Sequence, residues 1–557
     1  MKMRINNTVL IIVVVIVLSS ALVYPDFGDN DDAYFLPFLD ENHPTLSELA
    51  TAGKGRLIII AGATLFALSR LGSQAYVFLG FKLLMAASAC FLVFAIGRAL
   101  RLSTRPCLLI VLATCLHPAF AHATLKICSF ENLAFPLLLG MSLAVVSCHD
   151  PPQRISRYQA VARGAALAAL ALIFVFTKEA NTILLVTFSA VLLLHRMLGR
   201  VGANLPRVRC PISTLVTFLG ASGLFLATYF AAFVLPARNY WSSNYIALHL
   251  HDSSSSGSSL WWLGLVKLCH ALFNWLSNDP LIVAGGGLLF LRRCLEPGRF
   301  RARAQAVGES ENVPLADAFF LAAMAFMSFF IVCGLPAPYH FLPAYAFCIP
   351  AMIVYGRVFF AAAVGEPSLW SSRTPRWFTV AIAGLIGLLG LNAALSATNI
   401  ALRQKYIPHN LQAVLKVAVP RMRESISHLA KAGDLCVFTD YDLRPFLAHG
   451  QGLDMARIAV NDLPFGAGPR DHGRAEGPRA MGEAPREPRQ GDFILLTPYD
   501  RRGADDERGY VADHYEAQKL FETRSPLYPV CPTLRTFMRR LLKLPPDTVD
   551  FYLYRLR

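Results

Sequence analysis

The sequence predicts a polytopic α-helical membrane protein of about eleven transmembrane helices, followed by a small α/β domain outside the membrane. Three observations predict it. Of 557 residues, 55% are hydrophobic and 16% charged, with a mean hydropathy of +0.45, whereas soluble chains carry about 25% charged residues. Apolar runs of roughly 17–25 residues, long enough to cross the hydrocarbon core as helices, recur along the chain. The segments joining these runs alternate between Arg-rich and Arg-poor.

In chain order the apolar runs cover about 7–24, 73–97, 106–125, 131–148, 160–177, 179–195, 212–235, 279–291, 316–334, 341–362 and 377–398. One set of connections carries Lys2/Arg4, Arg98/Arg101/Arg105, Arg154/Arg157/Arg163, Arg196/Arg200/Arg207/Arg209, Arg292/Arg293/Arg299/Arg301/Arg303 and Arg373/Arg376. The other set is acidic, neutral or Ser-rich, the pattern of the positive-inside rule. With Lys2 and Arg4 inside, the acidic stretch after the first run, the Ser-rich loop 251–259 and everything after about 400 lie outside. Arg therefore marks topology, and the net charge of +15 forms no nucleic-acid patch. The first run reads as an uncleaved anchor, because "LSSALVYP" lacks a small-x-small cleavage site. Segments 44–70 and 260–276 are expected along the membrane surface, the latter carrying Trp261, Trp262 and Trp275 for an interfacial belt. No internal repeat or inverted pair of broken helices is visible, which weakens a secondary-transporter reading. The twelve Cys are scattered, with no CxxC pair; Cys436 and Cys531 share the outer tail, where chance placement accounts for them better than a bridge.

Residues 1–400 thus form the membrane domain and 401–557 the outer one. In the tail, "DLCVFTD" (434–440) and "GDFILLTP" (491–498) are apolar runs bounded by Asp, Gly and Pro, as buried strands are. "YEAQKLFE" (515–522) and "LRTFMRRLLK" (534–543) read as helices, and "VDFYLYRLR" (549–557) as a closing strand. Between the strands, 466–491 is rich in Gly, Pro and charge without apolar periodicity, so a disordered surface insertion is expected.

The first outer loop, 25–72, carries the chemistry. "DFGDNDDAYF" places Asp26, Asp29, Asp31 and Asp32 just beyond the anchor, and Asp40, Glu41 and Glu48 follow. Opposing charge is scarce, with His43, Lys54 and Arg56 nearby. A solvated loop kept outside by its acids is the bland account. Interleaved Tyr24, Phe27, Tyr34, Phe35 and Phe38 favour a packed wall instead. A carboxylate at the membrane surface can take a proton from an attacking hydroxyl or amine, or hold a divalent cation beside a phosphate. Packed like charges raise one another's affinity for protons, a feature of functional sites.

An acidic pair after the first membrane helix that runs into an aromatic, here "DDAYF" (31–35), resembles the signature of the GT-C glycosyltransferases. These are polytopic enzymes that use polyprenyl-phosphate sugars, and include protein O-mannosyltransferases and aminoarabinose transferases acting on lipid A. "SFENLAFPLLLG" (129–140), "FTKEANTILLV" (176–186) and "PAPYHFLPAYAF" (336–347) fit the family's outline more loosely. The resemblance implies Asp31 as catalytic base, with Asp32 as partner or alternate, and Asp29, Asp40, Glu41 and His43 positioning the acceptor or a metal. It implies a polyprenyl-phosphate sugar donor and a lipid or glycan acceptor at the extracytoplasmic face, which is the periplasmic side of a bacterial inner membrane. No cofactor is certain: some members require Mg or Mn and others no metal, so a divalent cation on Asp31 and Asp32 stays open. No later sugar-binding repeat module is visible, which puts a protein acceptor in doubt.

A phosphate-linked donor needs positive charge outside, where it is scarce. The candidates for its phosphate are Lys54, Arg56, Lys126, Lys178, Arg238 and His340, with Arg70 and Lys267 as further outer cations. Lys178–Glu179 sits at an outer helix junction, where mutual neutralisation competes with Lys178 touching phosphate while Glu179 orients it. Arg238 before "NYW" is a phosphate grip or an interfacial anchor in equal measure. His340 has a structural alternative, and Glu131 is explained by helix capping. The leading expectation is an inverting glycosyltransferase. A transporter or flippase predicts acids deep in several helices, and an O-antigen ligase or polymerase predicts a large Arg- and His-rich later loop, which 237–260 does not supply.

Overall fold

The computed structural model describes residues 58–72, 75–126, 130–147, 157–200, 210–234, 285–332, 338–365, 387–402, 435–439, 458–462, 489–496, 511–512, 515–526, 532–541 and 548–557, with Cys269 and Gly384. The first anchor, the acids of the first outer loop and the insertion 466–491 up to residue 488 lie outside these residues, as do Cys531 and most of 260–276.

Thirteen described helices precede the sheet: α1 (Ile59–Leu71), α2 (Ala75–Ala99), α3 (Thr104–Cys115), α4 (Pro118–Leu125), α5 (Glu131–Ser147), α6 (Arg157–Val175), α7 (Asn181–Arg200), α8 (Ile212–Tyr229), α9 (Gly287–Leu295), α10 (Pro297–Ala306), α11 (Val313–Val332), α12 (Leu342–Gly365) and α13 (Gly387–Leu402). Five described helices are long and apolar enough to cross a membrane: Tyr76–Ala99, Asn181–Gly199, Ile212–Ala232, Val313–Ile331 and Tyr339–Phe359. α1, α5 and α13 are shorter apolar helices, as is Val161–Val175 within α6. The chain is an integral membrane protein.

The expected crossing 106–125 is not one straight helix. It breaks into α3 and α4, bent by 58°. Pro118 disfavours helical backbone at His117 and cannot donate to the preceding turn. His117 instead caps α4, its Nδ1 accepting from the Ala119 amide at 3.1 Å. Segment 44–70, expected along the surface, is described from Ile58 onward. There α1 buries Ile58, Ala61 and Leu65, and the Ile60 amide donates to the Phe176 carbonyl at 3.1 Å.

The bundle core lies where α7 and α12 close on α11, and where α2 and α12 close on α5. Phe188 of α7 is fully buried against Phe218, Phe319 and Phe347, with ring centroids 5.8, 4.9 and 5.3 Å away. Lipid tails are as apolar as these rings, so fit and dispersion hold the helices together here, not transfer from water.

The Arg-rich ends of the helices are tied by buried carboxylates. α10 closes in a Schellman turn: Gly308 takes φ +70°, its amide donates to Gln305 O at 3.1 Å, and the Glu309 amide donates to Ala304 O at 2.7 Å. That turn presents Glu309 to Arg357 at 2.6 Å and to the Asn312 amide at 2.6 Å. Arg357 also donates to the Leu100 carbonyl, in the same kind of turn at the end of α2, where Arg101 occupies φ +60°. Deeper in, Asp317 accepts from Arg293 at 2.5 Å and from the Tyr355 hydroxyl at 2.7 Å.

Beside that end, Gly97 has no room for a side chain, since a Cβ there would stand 2.8 Å from Cys107 Sγ. Gly97→Ala is therefore expected to lower stability by about 1–3 kcal/mol through overpacking. Cys107→Ala in the same chain should recover most of that loss in thermal unfolding.

After the bundle the described strands form one five-stranded sheet of order β2-β1-β3-β5-β4. They are β1 (Leu435–Thr439), β2 (Ile458–Asp462), β3 (Phe493–Leu496), β4 (Ala517–Pro526) and β5 (Thr548–Leu556). β1 pairs parallel with β2 and β3, while β5 pairs antiparallel with β3 and β4. All four residues of β3 are buried, which is why it reads as an uninterrupted apolar run. The helix expected over 515–522 is a strand. Ala517–Pro526 pairs with β5 along its length, and that pairing outweighs local helix propensity. α14 (Leu534–Leu541) stands between β4 and β5.

Candidate functional site

Four charged or titratable side chains meet at the ends of the helices remote from the Arg-rich turns. Each is placed by a local turn. α4 ends at Lys126, whose amide caps onto His122 O at 2.9 Å. Glu131 is the first residue of α5. Lys178 lies in the turn between α6 and α7, where the Asn181 amide donates to Lys178 O at 3.0 Å and the Thr182 hydroxyl to Glu179 O at 2.8 Å. His340 sits in a 3-10 turn, Pro338–Phe341, that leads into α12.

Lys178 Nζ forms an ion pair with Glu131 Oε1. His340 Nδ1 lies 3.1 Å from both partners, accepting from the ammonium in one tautomer and donating to the carboxylate in the other. Phe330 of α11 walls the group, stacked on His340 at 5.0 Å and facing the Lys178 ammonium at 5.2 Å. Lys126 approaches through Tyr339, 4.6 Å above its ring and 3.5 Å from its hydroxyl. Tyr339 in turn touches His340 at 4.1 Å and His122 at 4.6 Å. Lys126 is 5%, Glu131 3% and Lys178 8% exposed.

The site's electrostatics follow from two sums. Among the described residues two ammonium groups, Lys126 and Lys178, meet the Glu131 carboxylate in a buried place, with Glu179 beside Lys178 in the chain. In addition, α5, α7 and α12 all begin here, and the first turn of each helix offers amide groups and the positive end of its dipole. Glu131 answers part of this from its position in the first turn of α5. Such an arrangement suits an anion, above all a phosphate group.

Lys126, Lys178 and His340, three of the expected phosphate candidates, come together in one cluster. Lys54, Arg56 and Arg238 lie outside the described residues, as do Asp29, Asp31, Asp32, Asp40, Glu41 and His43. Arg70 is exposed at the end of α1, its guanidinium 4.9 Å from the Phe66 ring, and is not part of the cluster. Lys178 forms an ion pair with Glu131, 47 residues away, because the turn at 178–181 aims Lys178 at the start of α5. Glu131 was expected only as a cap, and its chemistry is visible only in three dimensions. Lys82 was also missed. It is the single lysine in α2, two turns in and 5% exposed; a lone charge inside an apolar run is the signal that marks it. Among the described residues no group of three or more His, Cys, Asp or Glu is arranged to hold a metal ion.

No family model matches the sequence, and no curated protein matches it. Three solved structures align with the chain. ArnT from Cupriavidus metallidurans, bound to undecaprenyl phosphate, aligns over 98% of this chain and 97% of its own at 12% identity and a TM-score of 0.46. The Archaeoglobus fulgidus oligosaccharyltransferase, tethered to an acceptor peptide containing the NVT sequon, aligns over 83% of this chain and 64% of its own, at 13% identity and a TM-score of 0.41. The same organism's oligosaccharyltransferase AglB, in complex with an inhibitory peptide and a dolichol-phosphate, aligns over 79% and 63%, at 13% identity and a TM-score of 0.32. At TM-scores below 0.5 the assignment of function has to come from this chain's own residues.

Proposed function

We propose that the chain is a GT-C-type glycosyltransferase that moves a sugar from a polyprenyl-phosphate donor to a lipid or glycan acceptor at the extracytoplasmic face. The observation that carries this reading is the convergence of Lys126, Lys178 and His340 with the starts of α5, α7 and α12. In this reading Lys178 and Lys126 hold the donor's phosphate, Glu131 keeps Lys178 aimed, and His340 adds a further hydrogen bond. Asp31, with Asp32 as partner or alternate, takes the proton from the acceptor's hydroxyl or amine as it attacks the anomeric carbon. The carbon–oxygen bond to phosphate breaks, the lysines stabilise the charge on the departing phosphate, and the anomeric configuration inverts. Residues 1–400 carry this chemistry, in an inner membrane of bacterial type with residues 401–557 on the outer side.

Binding of the sugar-free carrier tests the site without knowledge of the sugar. Undecaprenyl phosphate titrated into the protein in nanodiscs, read by native mass spectrometry, is expected to bind the parent chain. Lys126→Met should weaken binding about 10- to 100-fold, the loss of one charge-assisted hydrogen bond. Equal binding by both chains removes Lys126 from the donor site. Mass spectrometry of envelope glycolipids from a strain lacking the gene then names the sugar that moves.

A further inference from the structure

α14 carries its apolar face outward. At 100° per residue Leu534, Phe537, Met538 and Leu541 share an arc of about 100°, and Arg535, Arg539 and Arg540 fall outside it. Leu534 is 38%, Phe537 61% and Leu541 64% exposed, although the sheet that precedes the helix has an apolar core of its own. The helix is firmly started. Thr533, 6% exposed, accepts from the Thr536 amide at 3.2 Å while the Thr536 hydroxyl accepts from the Thr533 amide at 2.7 Å, a reciprocal cap.

Its first residue is pinned to the membrane domain. The Leu534 amide donates to Asn392 Oδ1 of α13 at 2.7 Å. Asn392 is 8% exposed, whereas Leu388, one turn earlier on the same face, is 66% exposed and Leu391 56%, as befits a lipid-facing stripe on an apolar helix. Asn392 lies six residues before the outer end of the apolar run 377–398, about 9 Å short of it at 1.5 Å per residue. That depth is where interfacial amphipathic helices bury their apolar face, about 5–10 Å into the boundary of head groups and acyl chains.

We infer that α14 is an interfacial anchor, which seats Phe537 and Leu541 in the outer leaflet and turns its arginines toward lipid phosphates. The partner is the bilayer itself. Bare exposure of aromatic and aliphatic side chains in water would be costly, and lipid continuous with the α13 surface covers them without any second protein. This role stands independently of the transfer reaction.

Photocrosslinking in the full chain tests it. p-Benzoylphenylalanine is placed in turn at Phe537, Leu541 and Arg540, and each protein is irradiated in nanodiscs of phosphatidylethanolamine and phosphatidylglycerol. Phospholipid adducts, read by mass spectrometry, are expected at Phe537 and Leu541 at roughly tenfold the yield at Arg540. Equal yields at the three positions, adducts to another protein chain, or no adduct at either apolar position in protein that keeps the parent's unfolding temperature would each overturn the anchor. The two apolar positions guard against misfolding of one variant.

Discussion

Lys178→Met is expected to abolish transfer and to cost about 3–5 kcal/mol of stability, the usual penalty for leaving one half of a buried ion pair behind. Glu131, 3% exposed, would lose its ammonium partner, with His340 still 3.1 Å away. The two losses can be separated. Lys178→Met combined with Glu131→Leu removes both charges, and replacing a buried pair by apolar groups is often neutral or stabilising. Thermal unfolding of the double variant should return close to the parent value while transfer stays absent. A double variant that still transfers sugar would show that the pair serves the fold alone.

Asp31→Asn is expected to lower kcat about 10²- to 10⁴-fold, the range for losing a general base, with little change in unfolding temperature. Asn keeps the shape of the side chain and cannot accept the proton. Asp32→Asn, measured alongside, identifies which carboxylate of the pair is the base: the residue whose loss falls on kcat and not on KM. If both variants turn over at the parent rate while the protein is made at normal levels, the loop is a solvated tether and the enzyme reading fails.

Much of the membrane domain is legible because its physics is one-dimensional: a run of apolar residues and the Arg residues flanking it state where each helix begins and which way it points. Lys126, Lys178 and His340 stand out for the same reason, as basic residue types on a face otherwise short of them. What links them is not local. Glu131 and His340 are 209 residues apart, and no pattern along the chain announces that the starts of α5 and α12 meet. A carboxylate in a helix's first turn is fully explained by its own dipole, so the sequence offers only a capping role for Glu131. Pro118 signals the break in 104–125 plainly, yet the apolar run continues across it and conceals the bend. β4 fails differently: "AQKLFE" satisfies helix propensity, and only the partner strand, β5, decides its state.

Every charged member of the cluster stands at a helix end and none at a helix centre. This bears on how the protein enters the bilayer during synthesis. Each of these helices can be inserted by itself with its Lys, Glu or His still at the aqueous border, so none of the cluster's charges has to cross the hydrocarbon, where it would cost about 2.5–3.5 kcal/mol on insertion scales. Glu131 emerges 47 residues ahead of Lys178 and can wait in hydrated head groups until that partner arrives. Desolvation comes only at the last stage, when neighbouring spans close laterally and salt bridge and wall form together.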